Sequence, residues 1–353
     1  MKLLGSFKFL PRSSVGIDIG TSSLKVVELS RWGTRKTLKN YGEIQASTLY
    51  DKPFRTFEKN TLMLSSQDIA RGVRAICQEA KIETKETVFS IPDFSSFFTY
   101  FELPAMSKEE LPQAVQYEAR KHVPLPFAEV TFDWQVIEKP TANSKAPFKI
   151  LLVAVPNEVI NQYQEIASAS GLKLSALEAE VFGLIRSFFR EEKSPAAVLD
   201  IGAQTTTINV VWKGQLRNSH GIDIAGNGFT ERISQSLLVD FSKAQELKSI
   251  KGLQSPDIQS ILSPLIDMIV VEVQNIAQSF EEREGARIEK IVLGGGSARM
   301  PGLKEYFEKN LAKQVEILDP FRSLFVPPIL EQTLKEMGPS YSVAVGMALR
   351  GLE

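Results

Sequence analysis

One pattern occurs twice in this chain and limits what it can fold into. GIDIGTSSLKVVELS at 16–30 and VLDIGAQTTTINVV at 198–211 each run from an apolar strand into Asp-Ile-Gly, through a hydroxyl-rich turn, and out along a second apolar strand. β-Branched residues before the glycine and apolar-polar alternation after it read as a β-hairpin. Core packing alone seldom repeats a turn chemistry at about half-chain spacing, so the repeat predicts two similar halves whose turns close on one ligand from opposite sides. The second turn reads as two residues longer than the first. Glycine-led turns bring backbone N–H groups close to phosphate oxygens, and the hydroxyls add donors. Asp18 and Asp200 would repel a phosphate directly, so their useful place is on a Mg2+ and its waters. Taken singly, either copy reads equally as an ordinary hairpin with an acid at its tip.

A third element, IVLGGGSARMPGL at 291–303, sends a short apolar strand into three glycines and a serine before a helical pattern resumes after Pro301. Such a loop lets backbone lie flat against a ligand, with helix N-terminal N–H groups beyond it. A flexible strand-to-helix connection is the alternative. The chain contains no G-x-x-x-x-G-K-S/T run, and Gly294 to Gly302 does not spell G-x-G-x-x-G, so neither a P-loop nor a dinucleotide fingerprint is supported.

These three words resemble the phosphate-1, phosphate-2 and adenosine motifs of the superfamily of actin, sugar kinases and heat-shock chaperone ATPases. With FELPAMSKEELPQAVQYEARKHVPLPFAEVTFDWQV at 101–136 beside them, they resemble most the PilM family of type IV pilus assembly, and more distantly the cell-division proteins FtsA. The resemblance implies an α/β chain with the duplicated actin-like ATPase (ribonuclease H-like) fold: two mixed-sheet domains around a nucleotide cleft, with an inserted strand-helix-strand-strand subdomain. The bounds it implies are 1–95 and 156–196 for the first domain, 96–155 for the insertion, 197–337 for the second domain, and 338–353 for a final helix returning to the first.

The same resemblance implies ATP and Mg2+ as cofactors. Asp18, Gly20, Thr21, Ser22, Ser23 and Lys25 would form the first phosphate hairpin, and Asp200, Gly202, Gln204, Thr205 and Thr206 the second. Gly294, Gly295, Gly296 and Ser297 would lie against the adenosine, with Asp18 and Asp200 on the metal. NEVINQYQEIASASGLKLSALEAEVFGLI at 157–185 matches the helix, strand and helix that precede the second hairpin, and Glu180 falls where a catalytic glutamate orients the attacking water. A carboxylate suits that task because it accepts a hydrogen bond from water beside the phosphorus. Read without the family, Glu178 and Glu180 are a polar break before a helix. KAQELK at 243–248 resembles an A-E-x-x-K signature that clasps ribose and base. Lys248 fits, while Gln245 stands where a glutamate is usual and gives up a charge-assisted bond.

The implied partner is the N-terminal cytoplasmic tail of a PilN-like bitopic membrane protein, bound between the insertion and the first domain, with pilus assembly ATPases beyond it. The chain would be cytoplasmic and peripheral to the inner face of the cytoplasmic membrane. Two other readings stay open. A phosphotransferase of the sugar-kinase kind needs an acceptor site, for which no motif stands out. An FtsA-like polymerising adaptor would carry a linker and an amphipathic helix after its last domain helix, where this sequence ends at Glu353.

Composition agrees with two cores: 353 residues, 43% of them hydrophobic, with a formal net charge of -1 that leaves no basic surplus for nucleic acid. The single cysteine, Cys77, falls among helix-spaced apolar residues and reads as a packed thiol in a reducing compartment. His122 and His220 are isolated, so nothing suggests zinc. The leader MKLLGSFKFLPRSS is basic and apolar but interrupted, too short for a signal sequence or a membrane span, and no apolar run elsewhere reaches spanning length.

Strands are expected near 15–19, 24–30, 36–46 and 87–91, with a helix near 66–80. The insertion should contain strand FFTYFEL, a helix around 108–122, and strands TFDWQVI and KILLVAV joined by the polar EKPTANSKAP. Ser107 and Glu110 form a capping box for that helix, disturbed by Pro112. Most of Phe97, Phe98, Phe101, Phe127, Phe132 and Trp134 should pack internally. A polar helical region is expected over 240–285, and the small residues of YSVAVGMALRG suit a helix packed closely on the first half.

Overall fold

The computed structural model describes residues 12–56, 62–139, 146–189 and 193–353. The leader up to Pro11 and residues 140–145 of the polar connection lie outside the described residues.

The first repeat folds as an antiparallel ribbon of β1 (Arg12–Ile19), β2 (Ser23–Trp32) and β3 (Arg35–Gln45). A single turn, α1 (Ala46–Leu49), and then α2 (Ser66–Glu79) lead to β4 (Glu86–Ile91), which runs parallel to β1. Alternation along β1 gives its two faces different partners. Val15, Ile17 and Ile19 enter a core with Leu24, Val26 and the stripe Ile69, Val73 and Ile76 of α2. Ser14, Gly16 and Asp18, the residues between, are small or polar. Ser65 starts α2 by accepting the Asp68 N–H at 3.2 Å.

The insertion is a three-stranded antiparallel sheet in the order β5 (Phe97–Leu103), β7 (Phe148–Pro156), β6 (Val130–Glu138). Its helix α3 (Leu111–His122) sets Leu111, Val115 and Ala119 against Phe101, Ile150 and Leu152. The capping-box bonds form, with Ser107 Oγ–H and N–H reaching Glu110 at 2.8 and 3.0 Å, yet the helix starts only at Leu111 because Pro112 is tolerated only in a first turn. Phe97, Phe127, Phe132 and Trp134 lean on the same core, while Phe98 turns toward Phe182 outside it. After α4 (Asn157–Ala169), β8 (Lys173–Ala179) joins the edge of the first sheet and runs straight into α5 (Glu180–Phe188).

The second repeat rebuilds the ribbon as β9 (Ala196–Ile201), β10 (Thr206–Trp212) and β11 (Gln215–Ile222). Helices α6 (Gly226–Leu237), α7 (Phe241–Ile250) and α8 (Pro256–Glu284) follow, then β12 (Lys290–Gly294), α9 (Leu303–Leu311) and β13 (Gln314–Ile317). The sheet order β11-β10-β9-β12-β13 copies β3-β2-β1-β4-β8 of the first sheet, so the duplication extends from the hairpin to the whole topology. The two turns are equally long, contrary to the reading of the sequence. Asp18 pairs with Lys25 and Asp200 with Thr207, and Gly20 and Gly202 each donate N–H to the carbonyl three residues on, both at 2.9 Å. The extra threonines are β-branched and belong to strand β10.

Residues 240–285 are not polar throughout. Ile258, Leu262, Ile266, Ile269, Val273 and Phe280 of α8 form the spine of the second core. By length and composition this 29-residue helix also passes as long and apolar enough to cross a membrane, with a mean hydropathy of 1.4 over its most apolar 18-residue window, a test that a core helix passes as well. Here its buried stripe packs on the second sheet.

The last helix, α10 (Glu331–Gly351), begins before 338 and contains Pro339, whose missing N–H removes one helical bond without ending the helix. It lies on the small-residue face of β1, where a Cβ at Gly16 would stand 2.0 Å from the Ala344 carbonyl oxygen. The same helix reaches the second half, since the Pro339 carbonyl accepts the Gly295 N–H at 3.0 Å.

Candidate nucleotide cleft

Both turns, the glycine loop and the starts of α5 and α6 surround a cleft of about 900 Å³. Asp18 is buried next to the end of β1 and accepts the Ser90 hydroxyl at 2.9 Å. Lys25, opposite it on β2, donates to Ser23 Oγ at 2.6 Å and stands 3.9 Å from Glu43. Asp200 is the equivalent acid of the second sheet. Burial pushes its carboxyl up to about 7, helped by the negative charges of Glu180 and Asp18. A cation set between the two aspartates would reverse that cost.

The glycine loop folds over Asp200. Gly295 has φ of +82°, and a Cβ there would sit 2.5 Å from Asp200 Oδ1, so a side chain is excluded both by conformation and by space. Ser297 N–H donates to the Ile201 carbonyl at 3.1 Å. Gly295→Ala is expected to weaken binding of any cleft ligand at least about tenfold, and to cost about 1–3 kcal/mol of stability. Nucleotide titration alongside urea denaturation checks both.

The start of α6 is tied to the second turn by Gly226 N–H on Gly202 O at 3.0 Å and Asn227 N–H on Ala203 O at 2.7 Å. Lys248 Nζ donates to Gly226 O at 2.7 Å and to Thr230 Oγ1 at 2.8 Å, while Thr230 donates onward to Gln245 Oε1 at 2.7 Å. Burial pulls the Lys248 ammonium down to about 8. Lys248 and Gln245 therefore form one polar patch in the lining, tied through Gly226 to the second turn and suited to hydroxyl and ring-nitrogen groups.

Glu180 is the first residue of α5. Its Oε1 lies 2.7 Å from Arg55 Nη2, and its Oε2 accepts the Asp93 N–H at 3.4 Å. Asp93 Oδ1 in turn accepts the Val181 N–H at 3.1 Å, which binds the end of β4 to the start of α5. Burial raises the affinity of both carboxyls for a proton, and Arg55 opposes it. Glu178 points elsewhere, to Arg186 at 2.8 Å, which separates the two glutamates that the sequence left side by side.

Gly20, Thr21, Ser22, Ser23, Lys25, Glu180, Gly202, Gln204, Thr205, Gln245, Lys248, Gly295, Gly296 and Ser297 line the cleft with both aspartates. Thr206 does not: it is fully buried and its hydroxyl donates to Ile224 O at 2.6 Å. Thr207, its neighbour on the other face of β10, takes the lining position. Gly294 lies within β12 opposite Asp200, behind the lining. Reasoning from sequence missed Arg55, Asp93 and the start of α6. The last was signalled by Gly226-Asn227-Gly228; Arg55 sits in an irregular stretch with no local signal.

Among the described residues no three His, Cys, Asp or Glu side chains converge as a ready-made metal cage. Two facing carboxylates fit Mg2+ instead, which keeps several waters and takes phosphate oxygens as ligands. The Nε and Nη1 of Arg55, both buried and without an acceptor among the described residues, suit an anion beside them.

Two sheets of one topology, paired acid-tipped hairpins and a glycine loop across the cleft define an actin-like ATPase fold. The model of the family "Type IV pilus assembly protein PilM" matches residues 16–352, and the chain belongs to that family. Among solved structures, a PilM-PilN type IV pilus biogenesis complex is similar with a TM-score of 0.83 and 24% identity, covering 96% of this chain and 98% of that one. The ethanolamine utilization protein EutJ of Carboxydothermus hydrogenoformans shares the fold with a TM-score of 0.58 at 14% identity, over 97% of this chain and 91% of that one. In sequence, the cell division protein FtsA of Rhizobium meliloti (strain 1021) is 25% identical over 43% of this chain and 39% of its own length. EutJ of Escherichia coli (strain K12) is 28% identical over 38% of this chain and 45% of its own. The chain thus spans less than half the length of these two relatives.

Proposed function

We propose that the chain is an ATP-binding scaffold of type IV pilus assembly, which holds Mg·ATP between its halves and the N-terminal tail of a PilN-like inner-membrane protein on its outer surface. The observation that carries this reading is the pair of equal turns that aim Asp18 and Asp200 into one cleft beneath Gly295. Bound Mg2+ would supply a positive centre for the phosphate chain there. Asp18 and Asp200 would hold it through water, the turn N–H groups and Lys25 would donate to phosphate oxygens, and Gln245, Lys248 and Ser297 would meet the nucleoside. Glu180 would orient the attacking water.

The bounds proposed for the units are 1–95 with 156–196, 96–155, 197–337 and 338–353, with the partner tail between the insertion and the first unit. Anchored in this way, the protein would be cytoplasmic, peripheral to the inner membrane, and would act with pilus assembly ATPases in twitching motility or a related pilus activity. A nucleotide alters the tail site only by preferring one arrangement of the two halves.

Calorimetric titration of a synthetic PilN-like tail peptide into the full chain, with and without Mg·ATP, tests the coupling. Affinity is expected to change at least about threefold, a difference of roughly 0.7 kcal/mol. Equal affinity in both conditions removes the coupling, and no binding removes the partner. Single-turnover conversion of trace ATP then separates two uses of Glu180: ATP held intact fits a nucleotide-stabilised scaffold, and rapid ADP formation a hydrolysis-driven switch.

A further inference from the structure

We infer that Arg55 reads the terminal phosphate of a bound nucleoside triphosphate and, in turning to it, releases Glu180 to work on water. The inference rests on the nucleotide reading of the cleft and assigns a role to a residue that no motif marks.

A guanidinium carries its N–H donors in a rigid planar fork, and burying donors without acceptors is costly. Arg55 has a side chain only 9% exposed, and among the described residues its single ion-pair partner is Glu180 at 2.7 Å. Its Nε and Nη1 are buried with no acceptor among the described residues. The rest of its surroundings supply no second anion: the Phe94 ring lies 5.3 Å from the guanidinium, the buried Tyr163 hydroxyl stands beside it as a neutral neighbour without completing a hydrogen bond, and the Asp18 carboxylate acts on it at longer range. A buried cation with two idle donors, opening on a cleft lined by two phosphate-type turns, is shaped for an anionic oxygen that the protein does not itself provide.

Its position selects the terminal phosphate. Arg55 lines the cleft in contact with Glu180 and within electrostatic reach of Asp18 and Asp200, the acids that would face the metal and the phosphate chain. Phe54 N–H donates to the Thr21 carbonyl at 3.0 Å, so the backbone carrying Arg55 is bonded directly to the first turn. Any adjustment of that turn to phosphate moves Arg55.

In the present geometry both oxygens of Glu180 are engaged, one by Arg55 and the other by the Asp93 N–H. Once Arg55 swings its fork toward phosphate, Oε1 is free to accept from water. The ion pair is then an internal competitor: Glu180 and the phosphate draw on the same cation. A purely structural pair predicts the opposite, because loss of either partner would strand the other in the interior and damage all ligand binding alike.

The test is equilibrium titration of the full chain with fluorescent Mg·ADP and a non-hydrolysable Mg·ATP analogue. Arg55→Ala is expected to lose about 10- to 100-fold in affinity for the triphosphate and less than about threefold for the diphosphate. Glu180→Gln is expected to tighten the triphosphate about two- to fivefold by removing the competitor. Arg55→Lys keeps the charge and loses the fork, giving a partial loss confined to the triphosphate, and it serves if the alanine variant fails to fold. Equal losses for both nucleotides, no loss in either arginine variant, or weaker triphosphate binding in Glu180→Gln overturns the inference. If the unaltered chain binds neither nucleotide, the nucleotide reading falls and takes this inference with it. If it binds both and only the variants disobey, the inference falls alone.

Discussion

Asp200→Asn is expected to lose Mg2+-dependent nucleotide binding by at least about 100-fold and, at pH 8, to raise the melting temperature of the ligand-free protein. The two effects share one cause. Folding buries the Asp200 carboxyl beside Glu180 and Asp18 and raises it from an ordinary value of 3.8 to about 7. Between those limits the folded chain holds a proton that the unfolded chain has released. Stability of the ligand-free protein therefore falls as pH rises through this window, and the cost is complete above pH 7. Three units set a ceiling of about 4 kcal/mol. Asparagine removes the buried charge and keeps the shape, so the gain in melting temperature should be several degrees at pH 8 and shrink toward pH 4.

Binding runs the other way with pH, because a carboxylate must be ionised to face a metal. Below pH 7 the unaltered chain should lose Mg·ATP affinity, about tenfold per unit, as metal binding then has to expel a proton. Titrations at pH 6, 7 and 8 with the melting curves beside them check both signs. Mg2+-dependent binding that survives Asp200→Asn within threefold would place the metal elsewhere. Asp18→Ala should lose the same binding, leaving the Ser90 hydroxyl without its acceptor. Asp200 would then be a residue retained for its ligand at the expense of stability, as sites with converging like charges commonly are.

What was legible in the sequence was local chemistry repeated. Asp18 and Asp200 could be found because Asp-Ile-Gly followed by hydroxyl residues is a complete turn within a few positions, and its second occurrence argued for two halves. The three glycines before Pro301 were legible for the same reason. The side of the strand on which each residue falls was not. Thr206 and Thr207 are chemically alike, and a single residue of uncertainty about where β10 begins exchanges the cleft face for the core face. Reading the turn as longer than it is produced that error.

Helix α8 was hidden by averaging. Its buried isoleucines and leucines recur at helical spacing, but α7 before it is polar and the exposed face of α8 carries Asp257, Asp267 and Glu281. Arg55 was hidden more deeply, since nothing around KPFRTF distinguishes a surface arginine from one buried against a glutamate supplied by a different sheet edge. Only tertiary contact makes it a site residue. The capping box at Ser107 was correctly seen, but Pro112 moved the helix start, showing that a cap can form ahead of the helix it announces.

Gly346→Ala is the substitution expected to damage the fold most for its size. Helices α5 and α10 cross with their backbones in contact: a Cβ at Gly346 would lie 2.0 Å from the Gly183 carbonyl oxygen and 2.4 Å from Gly183 Cα. Side chains of neighbours can rotate away from an intruding methyl; backbone cannot. Nor can α10 retreat, because on the adjoining face of the same helix Ala344 and Ala348 press on Gly16 of β1, where an added Cβ would be 2.0 Å from one and 2.3 Å from the other. The methyl must therefore part α5 from α10 or lift α10 off the first sheet. Either exposes part of the buried surface contributed by Met347, Val343 and Leu184. A loss of about 3 kcal/mol or more follows, in the upper range for overpacking. Nucleotide binding should fall with it, since Pro339 of the same helix holds Gly295 over Asp200. Gly228→Ala supplies the contrast, being a glycine inside α6 whose Cβ would meet nothing within 4 Å. It should leave stability unchanged or raise it by about 0.5–1 kcal/mol through helix propensity. Urea denaturation of the two variants separates these outcomes, and a Gly346→Ala midpoint equal to that of the unaltered chain would mean that the α5–α10 crossing is not what holds the final helix in place.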